Sequence, residues 1–178
     1  MLFRSYLRVK PATIAFCYGP QGKPALGSDS SLLFNTSHAG DYAAFAVTSV
    51  GEVGVDIEVI QREMPRREEI ATRYFAAGEQ AALRAVPESE RNAAFFELWT
   101  RKEAFVKARG DGLFSGLETF EVSLGEPRVV SVKDDAAVAQ QWKLFALPNI
   151  SGCSGAAVVK ASEAIPSFWN WNPSLRNL

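Results

Sequence analysis

Apolar residues recur at helical spacing in the middle of the chain and in short strand-like runs on either side of it. Leu2, Phe3, Tyr6, Leu7 and Val9 keep a roughly helical spacing until Pro11, which predicts a short N-terminal helix. Thr13 to Tyr18, Leu32 to Phe34, Tyr42 to Ser49 and Gly54 to Val59 read as strands of a small antiparallel sheet. Between them lie a Gly- and Pro-rich loop carrying Lys23, and the polar turns Asn35 to Asp41 and Val50 to Glu52. Near Gln61 a charged run opens a helical region that continues to about Arg109, with breaks predicted at Gly78 and Pro87. Beyond Gly110 and Gly112, the stretches Phe120 to Ser123, Val129 to Val132, Gln141 to Leu147 and Gly155 to Val159 predict strands of a second sheet. The tail from Ser167 carries Trp169 and Trp171 close together, and it is expected to pack back over the body as an aromatic clasp, the alternative being a partner-binding patch.

Composition narrows the class. With 178 residues, 47% of them apolar, the chain can bury one sizeable core or two small ones, which excludes disorder. A formal charge of −1 offers no global basic field for nucleic acid, so any bound anion must be held locally. Cys17 and Cys153 have neither disulfide-framework nor metal-like spacing, which fits a reducing compartment, the cytoplasm by default. Arginines interrupt the apolar residues of the N-terminus, so neither a signal peptide nor a membrane span is expected there.

Candidate chemistry concentrates in two segments. Val53 to Val59 alternates strictly, so a strand would put Gly54, Asp56 and Glu58 on one face and Val53, Val55, Ile57 and Val59 on the other. Two carboxylates about 6–7 Å apart on one strand face repel unless water screens them or a hard divalent cation sits between them. The bland alternative is an ordinary half-exposed strand. On the helix predicted over Asn92 to Arg109, Phe95, Leu98, Trp99, Phe105 and Val106 form a broad apolar arc. Glu103 falls at its rim, with Lys107 one turn away on the same side; the bland alternative is a solvated ion pair. Lys102 projects into the arc itself, so it must snorkel or find an anionic partner. His38, the single histidine, lies beside Ser37 in a predicted turn, a grouping suited to holding phosphate; the bland alternative is a satisfied structural histidine.

The order of these pieces carries a resemblance. GKPAL at 22–26, FNTSHAG at 34–40, VGVDIE at 53–58, YFAAGEQAAL at 74–83, LWTRKEAFVKARGDGL at 98–113 and GLETFEV at 116–122 together resemble the 4'-phosphopantetheinyl transferase superfamily, in its larger, surfactin-synthetase-activating (Sfp) type. The signature blocks appear as Gly54-Val55-Asp56 and as Trp99 to Lys107. The resemblance implies an α+β fold of two similar halves related by a pseudo-two-fold axis, each a small antiparallel sheet with packed helices. Residues 1–60 would form a shortened N-terminal half and 61–178 the C-terminal half with the catalytic helix, in one compact unit. Members of this type carry further residues before the first helix, contributing basic groups that Arg4, Arg8 or Lys10 would have to replace.

The resemblance also implies an activity: transfer of the 4'-phosphopantetheine arm of coenzyme A to a serine of an acyl or peptidyl carrier protein, releasing 3',5'-ADP. It implies Asp56, Glu58 and Glu103 as magnesium ligands, and Lys107, Ser37 and His38 as contacts to the coenzyme A phosphates. Lys23 and Pro24 would line the adenine end, and Glu79 would help activate the nucleophile. Glu79, Glu103 or a metal-bound water stand as alternatives for the general base. The expected protein is a monomer that binds neither membrane nor nucleic acid. The alternative is a shortened relative that grips coenzyme A or a carrier without transfer.

Overall fold

The computed structural model of the chain describes residues 6–27, 31–61, 64–110, 112, 116–133, 135–148 and 150–171. Among the described residues, four antiparallel sheets combine with α-helices in an α+β fold, as expected. Two hairpins come first: β1 (Phe16–Tyr18) pairs with β2 (Pro24–Leu26), and β3 (Leu33–Ala39) with β4 (Tyr42–Thr48). Then β5 (Val53–Val59) leads into helices α1 (Arg67–Tyr74), α2 (Ala77–Ala85) and α3 (Glu88–Arg109). The remainder comprises the hairpin β6 (Phe120–Val122) and β7 (Val129–Val132), the single turn α4 (Ala136–Ala139), and strands β8 (Trp142–Ala146) and β9 (Cys153–Lys160).

The sequence boundaries need three corrections. The segment Asn35 to Ala39 is strand, not turn: β3 and β4 stay in register from Leu33↔Thr48 to Ala39↔Tyr42 around a tight turn at Gly40 and Asp41. Gly40, at φ 55°, supplies the left-handed turn conformation, so the polar residues before it are free to extend. The first helical break falls at Phe75 and Ala76, while Gly78 lies inside α2, where a Cβ would come within 2.1 Å of Glu121 Oε1. Finally, β5 does not join the sheet of the preceding hairpins. It pairs with β9 in a three-stranded sheet of order β5-β9-β8, so a strand from before residue 61 shares its ladder with strands from after it.

Near the N-terminus, Tyr6 and Leu7 are helical and Arg8, at φ 54°, ends that conformation; Leu2, Phe3 and Arg4 lie outside the described residues. The aromatic clasp does not form within the described tail. Trp169 is 84% and Trp171 70% exposed; residues 172–178 lie outside the described residues.

Helix α3 is the spine of the core. It lies across β5 and β9, and from Ala94 to Val106 most of its residues are buried whichever way they point. Phe75, Phe95 and Trp99 stack on one side, and Phe105 packs against Phe120 and Trp142 on another. The crossing depends on Gly54: a Cβ there would stand 2.0 Å from Ala104 O and 2.3 Å from Ala108 N. Glycine on the strand and alanines on the helix let the two backbones approach that closely. The helix closes on Gly110 in the left-handed conformation, whose N–H donates to Val106 O.

Candidate active site

The close crossing at Gly54 brings the next residues of both elements together. Asp56 follows Gly54 on the helix-facing side of β5, and Glu103 and Lys107 flank Ala104 on α3. Both carboxyl-bearing residues are 4% exposed, so the reading of β5 as a half-exposed strand with a polar outer face is excluded. Lys107 Nζ approaches Asp56 Oδ1 to 2.6 Å and donates to Ser37 Oγ at 3.1 Å, while Ser37 donates to the same Asp56 oxygen at 2.9 Å. β3 is itself held against β5 by the buried Asn35, whose Oδ1 accepts from Val55 N. An open cleft of about 520 Å³ results, lined by Ser37, His38, Asp56, Glu58, Glu103 and Lys107, with Trp99 and Met64 among its apolar walls.

The electrostatics are unbalanced. Burial pushes the Glu103 carboxyl up to about 7, with Asp56 and Glu58 adding repulsion that Lys107 only partly offsets. Burial likewise raises Asp56, against the pull of Lys107 and Ser37. Asp56 Oδ2 and Glu103 Oε1 are buried without a hydrogen-bond partner among the described residues. A buried acceptor left in that state is costly unless something else satisfies it. Among the described residues no group of three or more Asp, Glu, His or Cys side chains is gathered closely enough to hold a metal ion as it stands.

Not every sequence candidate reaches this cleft. Glu79 is completely buried elsewhere, between α3 and β6, where it accepts from Lys102 Nζ at 2.7 and 2.9 Å, from Val122 N and from Ala76 N. Lys102 thereby finds the anionic partner that its place in the apolar arc requires, and it also donates to Phe120 O beneath the Phe75 and Phe120 rings. Burial drives the Glu79 carboxyl up and the Lys102 ammonium down, each opposed by the charge of the other. Lys23 donates to Val53 O and Ala108 O, both at 2.9 Å, which ties the first hairpin to the start of β5 and the end of α3. Pro24 opens β2 beside it. His38 is exposed at the rim of the cleft.

A profile of the 4'-phosphopantetheinyl transferase superfamily matches residues 52–158, more than half of the chain and all of β5 to α3. The chain belongs to that superfamily. The matched segment includes Asp56, Glu58, Glu79, Glu103 and Lys107, and leaves Lys23, Pro24, Ser37 and His38 outside it. The chain is 35% identical over 169 residues to the 4'-phosphopantetheinyl transferase HetI of Nostoc sp. PCC 7120, an alignment covering 93% of this chain and 69% of that protein. It is 38% identical over 155 residues to a putative 4'-phosphopantetheinyl transferase of Synechocystis sp. PCC 6803, covering 85% and 61%. It is 47% identical over 93 residues to the 4'-phosphopantetheinyl transferase AcpT of Salmonella typhimurium, covering 52% and 48%. The chain thus spans between about half and somewhat over two thirds of the lengths of these relatives. Among solved structures, the Thermotoga maritima holo-[acyl-carrier-protein] synthase aligns at TM-score 0.48 and 23% identity, over 64% of each chain.

Three features of the cleft escaped sequence reading. Trp99 and Met64 line it only because separate elements converge, and Asn35, which braces β3 against β5 behind it, left one trace, a polar residue directly after an apolar run. The described residues also contain no helix long and apolar enough to cross a membrane, and the two cysteines are free.

Proposed function

We propose that this protein transfers the 4'-phosphopantetheine arm of coenzyme A to a serine of an acyl or peptidyl carrier protein, acting as a cytoplasmic monomer. The observation that carries the reading is the convergence of Asp56, Glu103 and Lys107 in one cleft, on the segment that matches the superfamily. The division of the chain at residue 60 into two halves around this cleft belongs to the same reading, with β5 handed from the first half to the sheet of the second.

The donor set suits magnesium in charge and in chemistry: three carboxylates face one lysine, and two buried carboxylate oxygens lack partners among the described residues. Asp56, Glu58 and Glu103 are the residues assigned to hold it. When bound, the ion offsets pyrophosphate charge and orients the phosphates. The rest falls to the chain. Lys107, with Ser37 and His38 beside it, binds and orients the phosphates of coenzyme A, because an ammonium and short polar groups at the cleft mouth make charge-assisted hydrogen bonds to phosphate oxygens. In the reaction the carrier serine oxygen forms a bond to the β-phosphorus as the bridging bond to the α-phosphate breaks, and 3',5'-ADP leaves with the bridging oxygen. The serine proton requires an acceptor. Glu103 lies in the cleft where the phosphates bind, in a position to take it. Glu79 does not, since its carboxylate is engaged by Lys102 and two backbone N–H groups away from the cleft. Trp99 and Met64 limit water access on the inner side.

Intact-protein mass spectrometry tests the reading directly. An apo carrier domain incubated with this protein, coenzyme A and magnesium should gain the mass of one phosphopantetheine arm, and the Glu103→Gln variant should not produce it. Absence of any gain on both acyl and peptidyl carriers would reject the transferase reading.

A further inference from the structure

Lys107 occupies a curious position for a residue whose task is to meet phosphate. Its ammonium rests 2.6 Å from Asp56 Oδ1 and is steadied by Ser37 Oγ, which spends its own proton on that same oxygen. Asp56 Oδ1 is therefore satisfied twice, while Oδ2 and Glu103 Oε1 are not satisfied at all among the described residues. A cation placed against these carboxylates would meet a lysine already there, and like charges at contact distance in a buried site repel strongly. The absence of a closed three-ligand group among the described residues is consistent with that occupation.

The occupant is also built to leave. Lys107 carries its charge on a flexible stem with three rotatable donors, and its side chain is 24% exposed, with the open cleft in front of it. Lys102, five residues earlier on the same helix, is the contrast: fully buried and held by both Glu79 oxygens and a carbonyl. Lys23 is likewise committed, to two carbonyls. Only a strong anion arriving in the cleft can offer Lys107 a better partner than Asp56, and a diphosphate is such an anion.

We propose that Lys107 is a displaceable stand-in for the divalent cation on Asp56, so that the diphosphate of coenzyme A must draw it off before the cation binds well. The proposal rests on the metal-site reading above. Its consequence is positive coupling: coenzyme A tightens the cation, and by reciprocity the cation tightens coenzyme A.

Binding, not turnover, tests it. Mn²⁺ is titrated into the full chain, with free Mn²⁺ followed by electron paramagnetic resonance, in the absence and presence of saturating coenzyme A. Wild-type protein should bind Mn²⁺ about tenfold more tightly with coenzyme A present, beyond chelation by coenzyme A alone. Lys107→Met should tighten Mn²⁺ about tenfold in the coenzyme-A-free protein and shrink the gain that coenzyme A brings. An unchanged or weaker coenzyme-A-free affinity in Lys107→Met overturns the stand-in role while leaving the metal site in place. No Mn²⁺ binding by wild-type protein even with coenzyme A overturns the metal-site reading itself, and the stand-in with it. If Lys107→Met fails to fold by circular dichroism, Ser37→Ala decides. That variant loosens the lysine and should tighten Mn²⁺ by a smaller factor, and no change in it counts against the proposal.

Discussion

Two neighbouring residues of α3 lead to opposite worlds. Lys102 points into a sealed cluster in which the Glu79 oxygens, the Val122 and Ala76 N–H groups and the Phe120 carbonyl complete one another. Glu103, the next residue, points into a cleft where buried carboxylate oxygens find no partner among the described residues and its own carboxyl is raised to about 7. Both clusters are buried and both contain acid and base. The difference lies in satisfaction: the first is complete without a ligand, whereas the second needs one. A perturbed carboxyl therefore signals chemistry only where its hydrogen bonding is unfinished, which separates Glu103 from Glu79 although burial is the leading cause of both shifts.

That contrast can be broken in order of expected effect. Glu79→Ala leaves a buried ammonium without its partner, so thermal or urea unfolding should show a loss of about 3–5 kcal/mol. Transfer per folded molecule should survive it; a well-folded Glu79 variant without any transfer would return Glu79 to the chemistry. Glu103→Gln should do the reverse, lowering transfer at least about a hundredfold in single-turnover mass spectrometry while the fold persists.

A third test uses pH. The metal-free Glu103 carboxyl titrates near 7 in the folded protein against an ordinary value of 4.5, so the folded state holds an extra proton between those limits. The contribution of this group to stability should accordingly be fully present below about pH 4.5 and fall by about 1–3 kcal/mol as pH rises toward 7, and Glu103→Gln should make that slope shallower in chelator-treated protein. The smallest effect is expected far from both clusters. Trp169→Ala should change the unfolding free energy by less than about 0.5 kcal/mol, because the ring is 84% exposed. A larger loss would restore the clasp.

Much of this was legible along the chain. Strict alternation over Val53 to Val59 set Asp56 and Glu58 on one side of a strand, and the helical arc set Glu103 and Lys107 on one flank of α3, because strand and helix periodicity are local properties of the backbone. The predicament of Lys102 was equally local, since an ammonium inside an apolar arc must snorkel or find an anion, and the fold took the second course. The order of short motifs was enough to point to the superfamily.

Distance in sequence marks where that legibility ended. Which acid answers Lys102 depends on how α2 packs, and Glu79 lies 23 residues away. That Ser37 sits in a strand rather than a turn depends on pairing with β4, and that β5 leaves the first hairpins for β9 depends on a ladder formed with residues a hundred positions later. Gly54 looked like one small residue in an alternating run. Only the crossing of α3 over β5 turned it into the contact that lets Asp56, Glu103 and Lys107 meet, because side chains from separate elements converge only where their backbones can touch.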